Sequence, residues 1–558
     1  MNPLASSKCA KGLFAALAAI SGLFLLGGCG SSSIATPNQA GFSVSNVNGT
    51  YVFATEGADS GGGFLGLTGA FTADGQGNVK AGTMDVIDSG FAPASPVAQS
   101  ISAGSYTVGA DGRGQVKLTT QVSSSLTTTT FTLNFVLTTV SNGVSSHGLI
   151  SEFDSNGTGS GTLDLQTAVT GLSQLAGPYA FNFSGIDDAS DSFAASGAFT
   201  LDTNGNIVAG SGIEDFNAGT IGTFPDETLT SSTPATLGAG TAPGSIAFAT
   251  PGFTFPAGSL VFDFYPIDAT HLKFIETDFS EILMGDAFTQ TGAAIPNGAM
   301  VFTMAGGTFS SGPIATGGLM TGDGSGNFPS GLEDFNDVNG PSAAQLSFSG
   351  LAAGAAGTGG RVVVNLSAFF PASNWAIYPS SAGLLMLELD ASNVMQGVGY
   401  AQTATAFNTG TSVGYGLNLS GFNIASGDFY VDDIAQFDAT TGTSNNMTGV
   451  LQENDEGTVQ PAGNFTGTYT PDTPATGRGG IVMPSLKTAF GGLGLEYYVI
   501  DDGTALFIEG DNGQVSSGTF ELQSSLGSGV MGAAHRSMSM VHPMVRAKAT
   551  KLRGAARK

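Results

Sequence analysis

The stretch Ser151-Glu-Phe-Asp-Ser-Asn-Gly-Thr-Gly-Ser-Gly-Thr-Leu-Asp-Leu-Gln166 contains a pattern that occurs four times in the chain: Glu-x-Asp, eleven residues, then Gln. The Glu-to-Gln separation is 14 in every copy, whereas successive copies begin 124, 112 and 121 residues apart. A fixed spacing inside a repeat of variable length indicates a locally rigid structure. The four copies of this signature are Glu152/Asp154/Gln166, Glu276/Asp278/Gln290, Glu388/Asp390/Gln402 and Glu509/Asp511/Gln523.

The residues before each signature alternate in character, as in Ile150, Glu152 and Asp154, and this alternation predicts a β-strand with all three on one face. The glycine-rich stretch that follows predicts a hairpin, and a symmetric hairpin would place Glu and Gln opposite each other on one face. A glutamate on the face of a core-directed Ile, Phe or Met needs a partner if it is buried. The candidate partners are the arginines of a glycine turn upstream: Arg113, Arg361 and Arg478.

Earlier parts of the units also match one another. Three units share an Asp-containing hairpin turn, and Asp-Gly and Asn-Gly supply the positive φ angles that tight turns require. A Gly-x-x-Asp string follows each of these turns, and no amphipathic helix is evident. The turns are Asp74–Asn78, Asp202–Asn206 and Asp323–Asn327, and the strings are Gly82/Asp85, Gly212/Asp215 and Gly331/Asp334.

The chain is therefore predicted to be all-β, with four tandem antiparallel units of about eight strands each. Small up-and-down barrels are favoured because closure removes exposed sheet edges. A β-sandwich per unit, or pairs of units merged into a propeller-like array, are the alternatives. The opening Gly-x-aromatic strand resembles the calycin (lipocalin- and avidin-like) barrels, although the single tryptophan, Trp375, lies far from a unit start.

These patterns divide the chain into seven segments. They predict a signal peptide over 1–28, a flexible tether over 29–46, β units over 47–168, 169–292, 293–404 and 405–525, and a basic disordered tail over 526–558.

The N-terminus has the features of an export signal. Lys8 and Lys11 precede an uncharged, mostly apolar run over 12–26, which is shorter than the roughly 20 residues that span a bilayer. The following Leu26-Gly-Gly-Cys29 resembles the lipobox of bacterial lipoproteins. That resemblance implies lipidation of Cys29, with several acyl chains giving stable anchoring. Gly30 stands where an Asp would mark inner-membrane retention, so the resemblance implies an outer-membrane lipoprotein facing the periplasm or the surface.

The repeat pattern resembles that of uncharacterised, glycine-rich repeat lipoproteins of environmental bacteria, a resemblance that implies no activity.

The charge distribution excludes one class of partner. The chain has 43 acidic residues against 16 Lys and Arg, with a formal net charge of −27. Most of the basic residues lie near the two termini, so the four units repel phosphate backbones and nucleic-acid binding is not expected. Cys9 and Cys29 both precede the units, which therefore fold without disulfides.

Three motifs are candidates for chemistry. The paired carboxylates of Glu-x-Asp could act as a general acid and base, but fourfold repetition favours a structural role. Asp202, Asn204 and Asn206 alternate as in calcium loops, yet Ile207 stands where glycine is needed, so weak calcium binding at the surface is the only cofactor left open. His147 and His271 occupy equivalent columns of different units and are not expected to meet, which argues against a zinc site or a catalytic triad.

The sequence thus predicts a lipid-anchored cell-envelope protein that acts as a surface binding or structural module and is not an enzyme. One alternative is a carrier of a small apolar ligand, which requires a hollow of about 300 Å³ or more in each unit. A second is a polysaccharide hydrolase with an acidic cleft in one unit. Candidate partners are the membrane, an envelope glycan and an apolar ligand, and the basic tail could contact anionic lipid or the acidic units.

Overall fold

The computed structural model describes residues 41–523, and the predicted signal peptide, Cys29 and the segment from 524 onward lie outside the described residues. Shorter gaps within this range fall at 91–96, 123–127, 188–189, 220, 254, 256–257, 279–280, 291–294, 309–311, 392, 411–412, 425–428, 442–444 and 489–490.

The first two units are built from eight strands each. Barrel 1 consists of β1 (Asn48–Asp59), β2 (Phe64–Asp74), β3 (Asn78–Asp88), β4 (Val97–Val108), β5 (Arg113–Val122), β6 (Thr128–Ser141), β7 (Val144–Phe153) and β8 (Gly157–Leu165). Barrel 2 consists of β9 (Gly177–Asp187), β10 (Ser192–Leu201), β11 (Gly212–Asn217), β12 (Thr223–Thr236), β13 (Gly244–Ala249), β14 (Leu260–Asp268), β15 (His271–Glu276) and β16 (Glu281–Thr289).

The last two units each add a two-residue strand to the same plan. Barrel 3 consists of β17 (Asn297–Thr308), β18 (Gly312–Asp323), β19 (Phe328–Asp337), β20 (Gly340–Pro341), β21 (Leu346–Ala352), β22 (Val362–Ser367), β23 (Asn374–Ser380), β24 (Gly383–Glu388) and β25 (Asn393–Ala401). Barrel 4 consists of β26 (Gly414–Asn423), β27 (Phe429–Thr440), β28 (Asn446–Asp455), β29 (Thr458–Val459), β30 (Gly463–Pro471), β31 (Arg478–Thr488), β32 (Gly491–Val499), β33 (Thr504–Glu509) and β34 (Gln514–Leu522).

Every unit is a closed antiparallel barrel. The long strands pair in sequential order, and the short β20 and β29 pair only with β19 and β28. The first strand of each unit also pairs with the last: β1 with β8, β9 with β16, β17 with β25 and β26 with β34. The predicted up-and-down barrel is confirmed, and the sandwich and propeller alternatives are wrong. The described helical segments are three single turns, Val44–Asn46, Leu172–Gln174 and Thr358–Gly360. Among the described residues, no helix has the length and apolar content to cross a bilayer.

The barrel interiors are filled with apolar side chains. In barrel 2, Phe183 lies between Phe181, Phe248, Phe262 and Phe274, with ring centroids 4.5–6.3 Å away. Trp375 is fully buried in the core of barrel 3, and barrels 1 and 4 have comparable clusters. These side chains occupy the space that the ligand-carrier alternative requires to be hollow.

A second set of apolar side chains faces outward and joins the barrels. Barrel 1 packs on barrel 2, barrel 2 on barrel 3, barrel 3 on barrel 4, and barrel 4 returns to barrel 1. Glycine permits this close approach. A Cβ on Gly317 would lie 2.6 Å from the Tyr498 ring, and one on Gly416 would lie 2.7 Å from Val136 Cγ1. The four barrels thus form a closed ring with junctions 1–2, 2–3, 3–4 and 4–1.

Candidate functional site at the barrel junctions

The signature glutamines lie at the junctions. Each follows the last strand of its barrel, and its amide donates hydrogen bonds to main-chain carbonyls of the next barrel. Gln523 does so across junction 4–1, where no linker joins the two barrels. The acceptors are Pro266 for Gln166 (2.7 Å), Gly359 and Pro379 for Gln290 (2.5 and 3.2 Å), Thr476 and Val499 for Gln402 (3.2 and 3.0 Å), and Asp111 and Leu137 for Gln523 (2.8 and 3.0 Å).

The predicted Glu–Gln pair is wrong. The hairpin register places Glu152 opposite Gly159, and Gln166 lies beyond the end of β8. The turn closes early because the Asp154 carboxylate accepts the main-chain N–H of Asn156 at 2.8 Å. The glycines that follow therefore belong to the returning strand rather than to a symmetric loop.

The signature aspartates lie in the turns and not on the strand face that the alternation predicted. Asp278, for example, comes two residues after Glu276, where β15 ends, and is half-buried. Its carboxylate accepts the main-chain N–H of Val261 in β14, and it also shares a side-chain hydrogen bond with the buried Glu276 carboxyl. The three other aspartates accept an N–H from the preceding strand region in the same way. The acceptor and donor pairs are Asp154 with Thr132 (2.6 Å), Asp278 with Val261 (2.6 Å), Asp390 with Ser373, and Asp511 with Gly494 (2.9 Å).

The signature glutamates are buried, with at most 1% of their surface exposed. Burial, followed by the adjacent aspartates, raises the pKa of Glu152, Glu276 and Glu509 well above the usual range. Burial raises the pKa of Glu388 to about 10. Burial thus favours the neutral form of these carboxyls. Neutral, enclosed carboxyls are suited to packing rather than to acid–base exchange with a substrate.

The arginines do not contact the signature glutamates, so that prediction is also wrong. Arg361 forms a bidentate pair with Asp215, at 2.6 and 2.5 Å, across junction 2–3. Arg478 pairs in the same way with Asp334, at 2.8 and 2.9 Å, across junction 3–4. Each aspartate comes from the Gly-x-x-Asp string of the preceding barrel, and such bidentate pairs are among the stronger hydrogen-bonded contacts. Arg113 instead pairs at 2.7 Å with Asp111 of its own barrel.

A tyrosine completes the same contact at three junctions. The hydroxyls of Tyr265, Tyr378 and Tyr498 donate to the string aspartates of the preceding barrels, Asp85, Asp215 and Asp334, at 2.6, 2.5 and 2.8 Å. Barrel 2 contains no arginine, so burial raises the pKa of Asp85 to about 7.

Junction 4–1 has lost both members of this contact. Gln452 replaces the aspartate, and Val136, which packs on Ile434, replaces the tyrosine. Removing both partners together avoids leaving a buried carboxylate or hydroxyl without its hydrogen bond.

In barrels 2, 3 and 4, an asparagine forms a further link. It lies two residues after the string aspartate, or after Gln452 in barrel 4. Its amide donates to three main-chain carbonyls around the signature turn of the next barrel. Barrel 1 carries Ile87 at this position, within the apolar contact with barrel 2. The acceptors are Glu388, Asp390 and Asn393 for Asn217, Glu509, Asp511 and Gln514 for Asn336, and Glu152, Asp154 and Gly157 for Asn454. Two units share the string Glu-Asp-Phe-Asn, at 214–217 and 333–336. This string is the sequence signal for the link, but nothing in it indicates the acceptor.

The two histidines meet in one charge network, contrary to the sequence prediction. His147 contacts Asp164 at 2.6 Å and Glu521 of barrel 4 at 3.1 Å. In barrel 2, Asp286 contacts His271 at 2.6 Å and Lys273 at 3.1 Å. The Lys273 ammonium lies 4.0 Å from Asp164 of barrel 1, which connects the two groups. The two histidines occupy equivalent positions of their repeats, and they come close because the ring directs the same wall of each barrel inward.

This central network is closed to solvent. Although burial alone would lower it, Glu521 and Asp164 raise the pKa of His147 to about 10. Burial lowers the pKa of His271, and its contact with Asp286 opposes that shift. One histidine is thus charged and the other neutral near neutral pH. The network holds barrels 1, 2 and 4 together and presents no side chain to a substrate.

The predicted turns are confirmed as turns. The carboxylates of Asp74, Asp202 and Asp323 accept the main-chain N–H groups two and four residues later. In the described part of the chain, no cluster of three or more His, Cys, Asp or Glu residues is placed to hold a metal ion. An open groove of about 600 Å³ lies beside junction 3–4 and is lined in part by Met300, Leu319, Met320, Phe348 and Gln402.

The comparisons with known proteins identify no family. No family model matches the chain, and no curated protein matches it. A crystal structure of a variant of the vaccine antigen transferrin binding protein B from Haemophilus parasuis Hp5 shares 10% identity, with 68% of this chain and 83% of that chain covered. Its TM-score of 0.20 is too low to support an inference about fold or function.

Proposed function

We propose that this protein is a lipid-anchored cell-envelope module whose ring of barrels serves as a rigid structural and binding platform. The observation that carries this proposal is the use of the signature. Its glutamines cross the junctions, and its glutamates are enclosed. The most regular polar residues of the chain therefore stabilise the assembly, which leaves outer walls and turns as the surface for partners.

The burial of the signature glutamates also favours the platform over the hydrolase hypothesis. Hydrolysis of a glycan requires two carboxyls that face a cleft, whereas the signature glutamates are buried in all four barrels. Filled barrel interiors likewise favour a platform over a carrier of an apolar ligand.

The described chain begins and ends at the same side of the ring. β1 starts at Asn48, and Gln523 ends the described chain at the same end of the strands. We call this the Gln end, and the opposite end the signature-turn face.

The anchor is tested by replacing Cys29 with Ser in the full chain and following membrane fractionation, with Cys9→Ser as the matched control. We expect Cys29→Ser to move the protein to the soluble fraction and Cys9→Ser to leave it in the membrane. Membrane association unchanged by Cys29→Ser would contradict the anchor.

Binding is tested with the soluble Cys29→Ser chain on arrays of envelope glycans and lipids. Saturable binding without turnover of the bound glycan is the expected result. Release of shortened glycan products would contradict the platform and favour the hydrolase.

A further inference from the structure

Exposed apolar side chains concentrate on the signature-turn face. Among the described residues, nine large apolar side chains are markedly exposed, and six of them lie at this end of barrels 2, 3 and 4, with 37–54% of their surface accessible. The Phe370 ring also contacts that of Phe335, with centroids 4.6 Å apart and a tilt of 39°, which extends the apolar area of barrel 3. Apolar surface gathered on one face marks an interaction site more often than scattered residues do. The six residues are Ile221, Val338, Leu346, Phe370, Phe429 and Val459.

The charged side chains of this face that the structure describes are acidic, whereas Lys487, near the end of β31, is a basic position at the same end. Asp226 is exposed there, and Asp154, Asp390 and Asp511 of the signature turns are partly exposed. None of the Lys and Arg side chains that the structure describes lies at this end. Lys80, Arg113, Arg361 and Arg478 lie toward the Gln end, where each contacts a carboxylate, Lys117 lies on a wall, and Lys273 is buried. The face therefore complements a partner that carries both positive charge and apolar side chains.

The chain itself contains a segment with these properties. Residues 524–558 include seven Lys and Arg and no acidic residue. The same segment carries Met531, Met538, Met540 and Met544, and methionine adapts readily to irregular apolar surfaces.

We propose that the segment 524–558 docks on the signature-turn face of its own chain. The segment departs from Gln523 at the Gln end. Strands of up to about 12 residues, rising about 3.3 Å each and tilted about 40°, make a barrel roughly 30 Å tall. A 35-residue segment can extend about 115 Å, so it reaches the opposite face with length to spare. Docking places its cations against the carboxylates of this face and its methionines against the exposed apolar residues.

The experiment is zero-length carbodiimide cross-linking of the full Cys29→Ser chain at low concentration, followed by peptide mass spectrometry. We expect Lys548, Lys551 and Lys558 to link to Asp226, Asp390 or Asp511. Because the attraction is between exposed charges, about 1 M salt should reduce these links at least five-fold. Links from the segment only to carboxylates of the Gln end, such as Asp502, would overturn the proposal. If the chain instead binds anionic phosphatidylglycerol vesicles through this segment and shows no such links, the proposal is also overturned.

Matched surface variants separate the apolar contribution to docking from nonspecific electrostatic attraction between the segment and the acidic barrels. Phe370→Ser and Phe429→Ser lie on the proposed face, whereas Val208→Ser and Val482→Ser alter similarly exposed residues elsewhere. We expect the first pair to lower the yield of the links about three-fold or more and the second pair to leave it unchanged. Equal effects of the two pairs would contradict docking on this face. Neither result depends on the anchor, since all variants carry Cys29→Ser.

Discussion

Junctions 1–2 and 2–3 place the same aspartate in different electrostatic surroundings. Asp215 receives a bidentate arginine and a tyrosine hydroxyl from the next barrel. Asp85 receives the tyrosine alone, and burial raises its pKa to about 7. Thus one position is an ion pair in one junction and a carboxyl close to neutralisation in another. The repeat preserves the shape of the contact, whereas its charge depends on a single residue in the next barrel.

The largest effect is expected from breaking the ion pair of junction 2–3. Arg361→Met leaves the fully buried Asp215 with two neutral donors, the tyrosine hydroxyl and the main-chain N–H of Asp226. Breaking one side of a buried pair costs about 3–5 kcal/mol. The free energy of unfolding in urea measures this loss. Arg113→Met is the control, because its partner Asp111 belongs to the same barrel and the pair is partly exposed, so a smaller loss is expected. Equal losses would contradict the assignment of Arg361 to the junction.

At junction 1–2, removing the charge of the equivalent aspartate, Asp85, should increase the free energy of unfolding rather than lower it. The pKa of Asp85 is about 7 in the folded chain and 3.8 in the reference state. Its contribution to stability is therefore present below about pH 4 and is lost as the pH rises through 7. We expect Asp85→Asn to stabilise the chain by about 2–4 kcal/mol at about pH 8 and to have little effect at about pH 4.

Asp215→Asn is the control for this comparison, because it removes the partner of Arg361 and should destabilise the chain at about pH 8. Urea unfolding at the two pH values measures both variants. A loss of stability for Asp85→Asn at about pH 8 would show that its carboxylate is compensated by another group.

A moderate effect is expected at the asparagine links. Asn336→Ala removes three hydrogen bonds to carbonyls of barrel 4, and leaving buried acceptors unpaired costs about 1–3 kcal/mol. Asn78→Ala alters an exposed turn of barrel 1 and should cost less than about 1 kcal/mol. Thermal unfolding of the two variants checks the difference, and similar losses would mean that Asn336 contributes no more than a turn residue.

The smallest effect is expected from Glu388→Gln. The pKa of about 10 keeps this carboxyl neutral, and Gln retains an oxygen that can accept the Asn393 amide. We expect a change in unfolding free energy below about 1 kcal/mol at about pH 6. A large loss at that pH would show that the glutamate is ionised in the folded chain.

The repeat, the strands and the barrel closure were predictable because period-two alternation and glycine turns are local signals. The hairpin register could not be predicted, because Asp154 closes the turn earlier than a symmetric loop would. Asp278 likewise leaves the strand to accept an N–H from the strand before it. A spacing of 14 is equally compatible with either position of the turn, and only the side-chain contact decides between them.

The candidate site was predicted only in part. The signature and the Gly-x-x-Asp string were visible, but the partners of Gln523 and Asp215 lie 412 and 146 residues away in the sequence. Such contacts arise when barrels pack against each other, and no local pattern encodes them. The prediction that His147 and His271 stay apart failed for the same reason, because it treated each unit as isolated.

The central claim is that the four barrels close into a ring, and junction 4–1 tests it most directly because no linker holds it. The hydroxyl of Thr158 lies 2.8 Å from the carboxylate of Asp432, although the two residues are 274 positions apart. We would introduce cysteine at both positions in a chain with Cys9→Ser and Cys29→Ser, treat it with a short bis-thiol reagent, and compare it with the two single-cysteine chains. The ring predicts one intramolecular cross-link between these positions in the folded chain and none after unfolding in urea. Two unlinked thiols that both react with the reagent in the folded chain would contradict the closed ring.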